Sequence, residues 1–223
     1  MEMMKIFIPL LALFLMSVQL PFGPQPTEKP EEDRSPVKGW QVVTYFGIPP
    51  TRYSKTGPII KVESVGSRSS LFKEVKDGQK DYPVLVWKWK ISNVVQSAIE
   101  TKKDRSDAAA RVMVVFGEEK RFSLFSKEPA GERIEYIWGS HLPPGRVFDD
   151  PAKKDSKVFV VESGESKAGK WVSESRNIRK DFKEAFKTDP KGVIAIGIET
   201  NTDHSNEMVT AWYSEPALKK RPR

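Results

Sequence analysis

The sequence of 223 residues contains no cysteine. That absence excludes disulfide staples, thiolate metal sites, cysteine nucleophiles and a lipid-modified amino-terminal cysteine. Histidine occurs only twice, as His141 and His204, so a poly-histidine zinc centre is excluded as well. No G-x-S-x-G elbow, phosphate-cradling glycine loop, H-E-x-x-H pair or dinucleotide fingerprint is present. Nothing in the motifs asks for a cofactor. Hydrophobic residues make up 38% of the chain, a modest share, but twelve Phe and six Trp supply large pieces of core. The length suits one domain with appendages.

The first twenty residues read as an address. Lys5 precedes an apolar run over 6–20, broken by Pro9, Ser17 and Gln19. A membrane span needs roughly twenty apolar residues, so the run fits the apolar core of a secretory signal better. Ser17 is the best small residue for the last position before a cut. A retained amino-terminal anchor is the alternative, which would tether the protein to a membrane through residues 1–20. Residues 21–38 carry five prolines and a charged cluster, the composition of an extended linker. A single domain is expected over 39–216, followed by a basic tail over 217–223. The expected location is exported, periplasmic or membrane-anchored. The net charge of +7 and the KKRPR end suit phosphates, but an exported protein rarely meets nucleic acid, so that partner is not expected.

From residue 40 onward, β-branched and apolar runs recur between Gly, Pro, Asp and Ser. They predict strands at 40–46, 58–64, 69–75, 83–91, 109–116, 134–139, 157–163, 169–174, 193–200 and 207–214. A hairpin is expected around Gly164 and Gly169, and a polar loop over 101–108. One helix is expected over 177–187. Ile178, Phe182, Ala185 and Phe186 form its apolar stripe, Asn177 can cap it, and Asp189 followed by Pro190 stops it. Many strands with one amphipathic helix predict a mainly β fold, an antiparallel β-sandwich or jelly roll.

Four stretches carry candidate chemistry. In YPVLVWKWKI, Leu85, Trp87, Trp89 and Ile91 share one strand face, and Val84, Val86, Lys88 and Lys90 the other. The tryptophan face suits a core. Lys88 and Lys90 would then lie on a sheet face aimed at an anionic or polyhydroxy ligand. Trp87 and Trp89 as a sugar-stacking platform is the alternative. In DRSDAAARVMVVF, a buried Arg111 needs an acid, and Asp107 is the nearest in sequence. The pair is either structural or a clamp for an anion, which a planar guanidinium suits. In IEYIWGSHLPPGRVF, Trp138 offers a flat ring, and His141 in the following loop is either a general base or a hydrogen-bonded surface residue. The turn 200–206 is rich in oxygens, but calcium takes roughly six to eight ligands. Only Asp203 and Glu207 are charged there, so no metal is expected. Paired carboxylates for glycan hydrolysis would be paired in space, with Asp107, Glu135 and Asp203 as candidates and no catalytic residue assigned. The candidate ligand surface is therefore Lys88, Asp107, Arg111, Trp138, His141 and Asp203.

Together TRYSKTGPIIKVES, YPVLVWKWKI, DAAARVMVVF, EYIWGS, WVSESRNIRKDFKEAF and IGIETNTDHSNEMVTAWY resemble, in order and spacing, the domain of unknown function 3047 family. The resemblance runs from about Thr51 to Tyr213. It implies a bacterial exported protein of uncharacterised role and brings no catalytic residues. Relatives usually carry an Asp-rich, Gly-containing turn where Asn201, His204 and Asn206 stand here, so a site built on that turn would be altered. The expected function is an exported binding module for a glycan or another polyhydroxy or anionic envelope polymer. A glycan-directed hydrolase and an envelope structural or interaction protein are the alternatives.

Overall fold

The computed structural model describes residues 35–76, 83–118 and 128–220. The expected signal or anchor and nearly all of the expected linker lie outside the described residues. In chain order the elements are β1 (Gln41–Thr44), β2 (Arg52–Thr56), β3 (Ile59–Val65), β4 (Ser69–Glu74), β5 (Val84–Ile91), a short 3-10 turn (Lys103–Arg105), β6 (Ala108–Gly117), β7 (Glu132–Gly139), β8 (Val147–Asp149), β9 (Ser156–Ser163), β10 (Val172–Asn177), α1 (Ile178–Phe186), β11 (Gly192–Asn201), β12 (Met208–Ser214) and β13 (Ala217–Lys219). Among the described residues no helix is long and apolar enough to cross a membrane.

The strands form two sheets. One runs β1-β4-β11-β6-β7-β9-β8, the other β10-β5-β12-β3-β2, with β13 also pairing β5. Pairing is antiparallel except for β7 with β9, which are parallel. A parallel pair needs a crossover, and residues 140–155, which include β8, supply it. This is the expected β-sandwich with one helix.

Strand alternation builds the core. Leu85, Trp87, Trp89 and Ile91 of β5 are buried, while Lys88 between them is exposed. Trp87 packs tilted on Tyr136 of β7, with ring centroids 5.3 Å apart, and Trp89 packs on Trp138 at 5.8 Å. The tryptophan face of β5 thus meets the aromatic face of β7 across the two sheets. The platform alternative for Trp87 and Trp89 is therefore overturned: neither ring reaches solvent.

The seven-stranded sheet is buried on both faces. Phe72, Met113, Val115 and Ala195 form a second cluster, and Ile137, Val158 and Val160 a third, packed against Tyr45, Leu142 and Phe148. Gly197 belongs to this outer layer. A Cβ added there would meet the Phe72 ring at 2.5 Å, so the glycine makes room for that ring.

The helix spans Ile178–Phe186, with the Asn177 side chain accepting from Lys180 N–H at 3.1 Å and Lys187 closing it in the left-handed region at φ 61°. Phe182 is buried against Phe116 and stacks on Phe186. Three strands were not legible. In β2 only Tyr53 is buried, β8 has three residues, and β13 lies where the basic tail was expected to begin. Val37, placed by sequence in the linker, is fully buried.

Candidate functional site

The loop residues singled out by sequence converge at one end of the seven-stranded sheet. The start of β6 lies beside the ends of β11 and β7, because both are antiparallel to it. Asp107 therefore meets the turn after β11. Its carboxylate accepts from Asn201 Nδ2 at 2.9 Å, from Ser205 N–H at 2.8 Å and from His204 N–H at 3.4 Å, with His204 Nδ1 at 3.1 Å. Asn201 Nδ2 also donates to Asp203 at 3.1 Å. The donor atoms of Asp107, Asp203 and His204 lie within 4.8 Å of one another, close enough for a metal ion. The chemistry argues otherwise, since N–H groups already point at the Asp107 oxygens that a cation would need. The cluster fits a hydrogen-bonded clamp on the turn.

His141 lies at the same end. Its backbone N–H and that of Ser140 donate to the Glu100 carboxylate, at 2.9 and 2.6 Å, and its Nε2 lies 2.9 Å from the Gln96 carbonyl. Glu207 ties down the neighbouring segment, accepting from Gln96 and Ser97 N–H at 2.9 Å each. Trp138 is fully buried and donates from its indole nitrogen to the Gly164 carbonyl at 3.0 Å, so it presents no face to solvent.

Arg111 is elsewhere. It points out of the sandwich core, into the buried outer layer of the seven-stranded sheet. Its acidic partners are Glu135 of β7 and Glu199 of β11, with Asp150 at 4.0 Å, and not the expected Asp107. The reason is alternation: Glu199 stands directly opposite Arg111, and Glu135 lies two pairs along on the other neighbour, on the same face. The network extends through Arg133, Arg68, Ser70, Ser156, Tyr45 and Glu128. Burial alone would raise the Glu135 carboxyl. The guanidinium groups of Arg111 and Arg133, with the Ser156 hydroxyl, hold it down to about 2. Burial and the charge of Glu135 push Asp150 up to about 6. Three carboxylates do converge here, but each lies within 4.0 Å of the Arg111 guanidinium and Glu135 carries no proton to give. This is the chemistry of a paired buried network.

Two solvent-accessible tryptophans lie on the outer face of the six-stranded sheet. Trp212 of β12 pairs Lys90 on one side and Lys61 on the other. Val172 pairs Trp89, so Trp171, one residue earlier, stands opposite Lys90. Trp171, just before β10, thus stands in one row with Lys90 of β5, Trp212 of β12 and Lys61 of β3. Trp171 is 44% exposed, and Trp212 is half-buried. The Lys90 ammonium rests 4.2 Å from the Trp212 ring centroid and 5.5 Å from that of Trp171, a cation–π geometry. Lys88 lies on the same face, opposite Ser173, and its backbone N–H donates to Ser214 Oγ at 2.8 Å.

Of the six candidate residues, then, Asp107, His141 and Asp203 gather at one end, Lys88 lies on the exposed sheet face, Trp138 is in the core and Arg111 is in the buried network. Trp171 and Trp212 were missed. Their signal was present in WVSES and MVTAWYS as single tryptophans at strand positions. Only the strand order brings them to either side of Lys90.

A family model described as "Protein of unknown function (DUF3047)" matches residues 38–216. No curated protein matches the chain. Among solved structures, it is similar to the xyloglucanase domain of NopAA, a type three effector from Sinorhizobium fredii, at 10% identity and a TM-score of 0.45 over 82% of this chain and 93% of that one. It is also similar to a family 11 carbohydrate-binding module of the cellulase Lic26A-Cel5E from Clostridium thermocellum, at 12% identity and a TM-score of 0.40 over 86% and 94%. A family 11 xylanase from Neocallimastix patriciarum is similar at 9% identity and a TM-score of 0.34 over 82% and 100%.

Proposed function

The chain belongs to the DUF3047 family of proteins of unknown function, and we propose that it is an exported glycan-binding module whose recognition surface is the outer face of the six-stranded sheet. One observation carries the reading: Trp171 and Trp212 stand in a single row on a rigid sheet, outside the core, with Lys90 between them. An indole face matches the apolar C–H face of a pyranose ring, and a platform on strands is pre-formed, so binding orders little of the protein. The neighbouring Ser173, Ser214, Thr210 and Lys88 supply donors and acceptors for hydroxyls. Export is part of the proposal and rests on the sequence of residues 1–20.

A hydrolase reading finds less support. The carboxylates brought together around Arg111 are tied to guanidinium groups and buried. His141 Nε2 faces a backbone carbonyl.

The test is affinity electrophoresis of the full chain through gels containing soluble glucans, xylans, galactans and chitin oligomers. Retardation by at least one polymer is expected. Trp171→Ala and Trp212→Ala should lose it while melting within about a degree of the parent, because neither ring belongs to the core. A double variant retarded as strongly as the parent would overturn this site.

A further inference from the structure

We propose that the Trp171–Lys90–Trp212 row takes an anionic glycan, a polysaccharide carrying carboxylate or sulfate groups, with sugar rings on the two indoles and the anions on Lys88 and Lys90. The proposal deepens the glycan-binding reading and rests on it.

Three observations point the same way. The first is spacing. Trp171 and Trp212 lie on either side of β5, two strand spacings apart, about 10 Å. That matches two sugar units of an extended chain, so one chain lying across the strands can place alternate rings on the two indoles.

The second is charge. Lys88 is exposed and Lys90 half-buried, and neither has an acidic partner among the described residues. Lys61 at the far end of the row is already paired with Glu63 at 2.8 Å. The carboxylate of Glu174 does not offset the lysines, because it stands opposite Trp87 on the inward face of β10. The strip around the tryptophans therefore carries two uncompensated ammonium groups.

The third is the position of Lys90 itself. Its ammonium rests on both rings and has no acidic partner among the described residues. A lysine stem has four flexible carbons. A sugar ring arriving on Trp212 displaces the ammonium sideways, where a carboxylate or sulfate on the adjacent unit can receive it. The aromatic contact and the ion pair then form together. A neutral chain would displace the same ammonium and return nothing to it.

The experiment uses the full chain and matched polymers. Carboxymethyl cellulose and cellulose sulfate are compared with hydroxyethyl cellulose, and polygalacturonate with its methyl ester. On at least one backbone the acidic form should bind about tenfold or more tighter than its neutral counterpart. That advantage should collapse when ionic strength rises from about 0.05 to about 0.5 M, since the lysines are exposed to screening. Lys88→Gln with Lys90→Gln should remove the preference for the charged form, so that the variant binds matched charged and neutral polymers alike. Binding to cellulose sulfate without carboxymethyl cellulose or polygalacturonate supports the proposal and assigns the anion as a sulfate ester. Equal affinity for charged and neutral forms overturns this inference and leaves the glycan-binding reading standing. An acid preference that survives in the double lysine variant also overturns it. Failure to bind any polymer, charged or neutral, overturns both.

Discussion

Arg111 is buried among three carboxylates, and nothing about its surroundings resembles an open clamp. Removing it leaves the buried Glu135 and Glu199 without the guanidinium they share. Arg111→Ala should therefore cost roughly 3–5 kcal/mol in urea unfolding. A loss below about 1 kcal/mol would take the network out of the stability argument. Its pH dependence has a definite sign. Glu135 is held at about 2 against an ordinary value of 4.5, so its contribution is present above 4.5 and lost as pH falls through about 2. Glu174 behaves oppositely. Burial, then the charge of Glu162, raises it to about 7. Its contribution is present below 4.5 and lost as pH rises through about 7. Glu174→Gln should consequently raise the melting temperature at pH 8 and leave it unchanged at pH 4. Calorimetry of the variant at the two pH values checks this, and no rise at pH 8 contradicts the burial argument.

The elements differ in how firmly they are tied to the core. β5 divides its labour by alternation, with Trp89 between the sheets and Lys90 outside. Trp89→Ala should cost roughly 3–5 kcal/mol, the range for a large buried aromatic. Trp212→Ala, on the outer face of the adjoining strand, should cost far less and act on binding. Denaturant titrations of the two variants side by side test the assignment of faces. In α1, Phe182 is fully buried against Phe116. Phe182→Asp would place an unpaired carboxylate there and should prevent cooperative folding. A soluble Phe182→Asp protein with a sharp melt would refute the packing. Asn177→Ala removes only the cap on Lys180 N–H and should cost about 1 kcal/mol.

At the scale of the whole molecule, the outer faces of the two sheets differ. The outer face of the seven-stranded sheet is filled by a second hydrophobic layer and an ion network. The outer face of the six-stranded sheet carries Lys88, Lys90, Trp171 and Trp212. Among the described residues, only the second offers tryptophan and lysine side chains together to solvent. Export remains a proposal drawn from the apolar run behind Lys5. Fractionation should find the protein outside the cytoplasm, and mass spectrometry of that fraction should show whether residues up to about Ser17 have been removed. Full-length protein recovered only from the cytoplasm would refute it.

Local pattern alone settled most of the architecture. Period-two alternation in YPVLVWKWKI assigned the two faces of β5, because a strand sends neighbouring side chains to opposite sides whatever it pairs with. The stripe of Ile178, Phe182 and Phe186, with Asn177 before it, marked the helix to within a residue at each end. Family membership was legible for the same reason: it resides in the order of local motifs. What pattern could not supply was partnership across the chain. Arg111 was expected to meet Asp107 because they are four residues apart. The sheet order instead puts β11 and β7 beside β6, which gives Arg111 to Glu199 and Glu135 and sends Asp107 to the turn at Asn201 and Ser205. Short or polar strands such as β2, β8 and β13 were invisible because their pairing comes from neighbours and not from their own hydrophobicity. Trp171 and Trp212 are 41 residues apart in sequence and become a pair only because β10 and β12 both hydrogen-bond to β5. Alternation is a property of one strand, and so the sequence carries it; adjacency is a property of the sheet, and only the tertiary structure decides it.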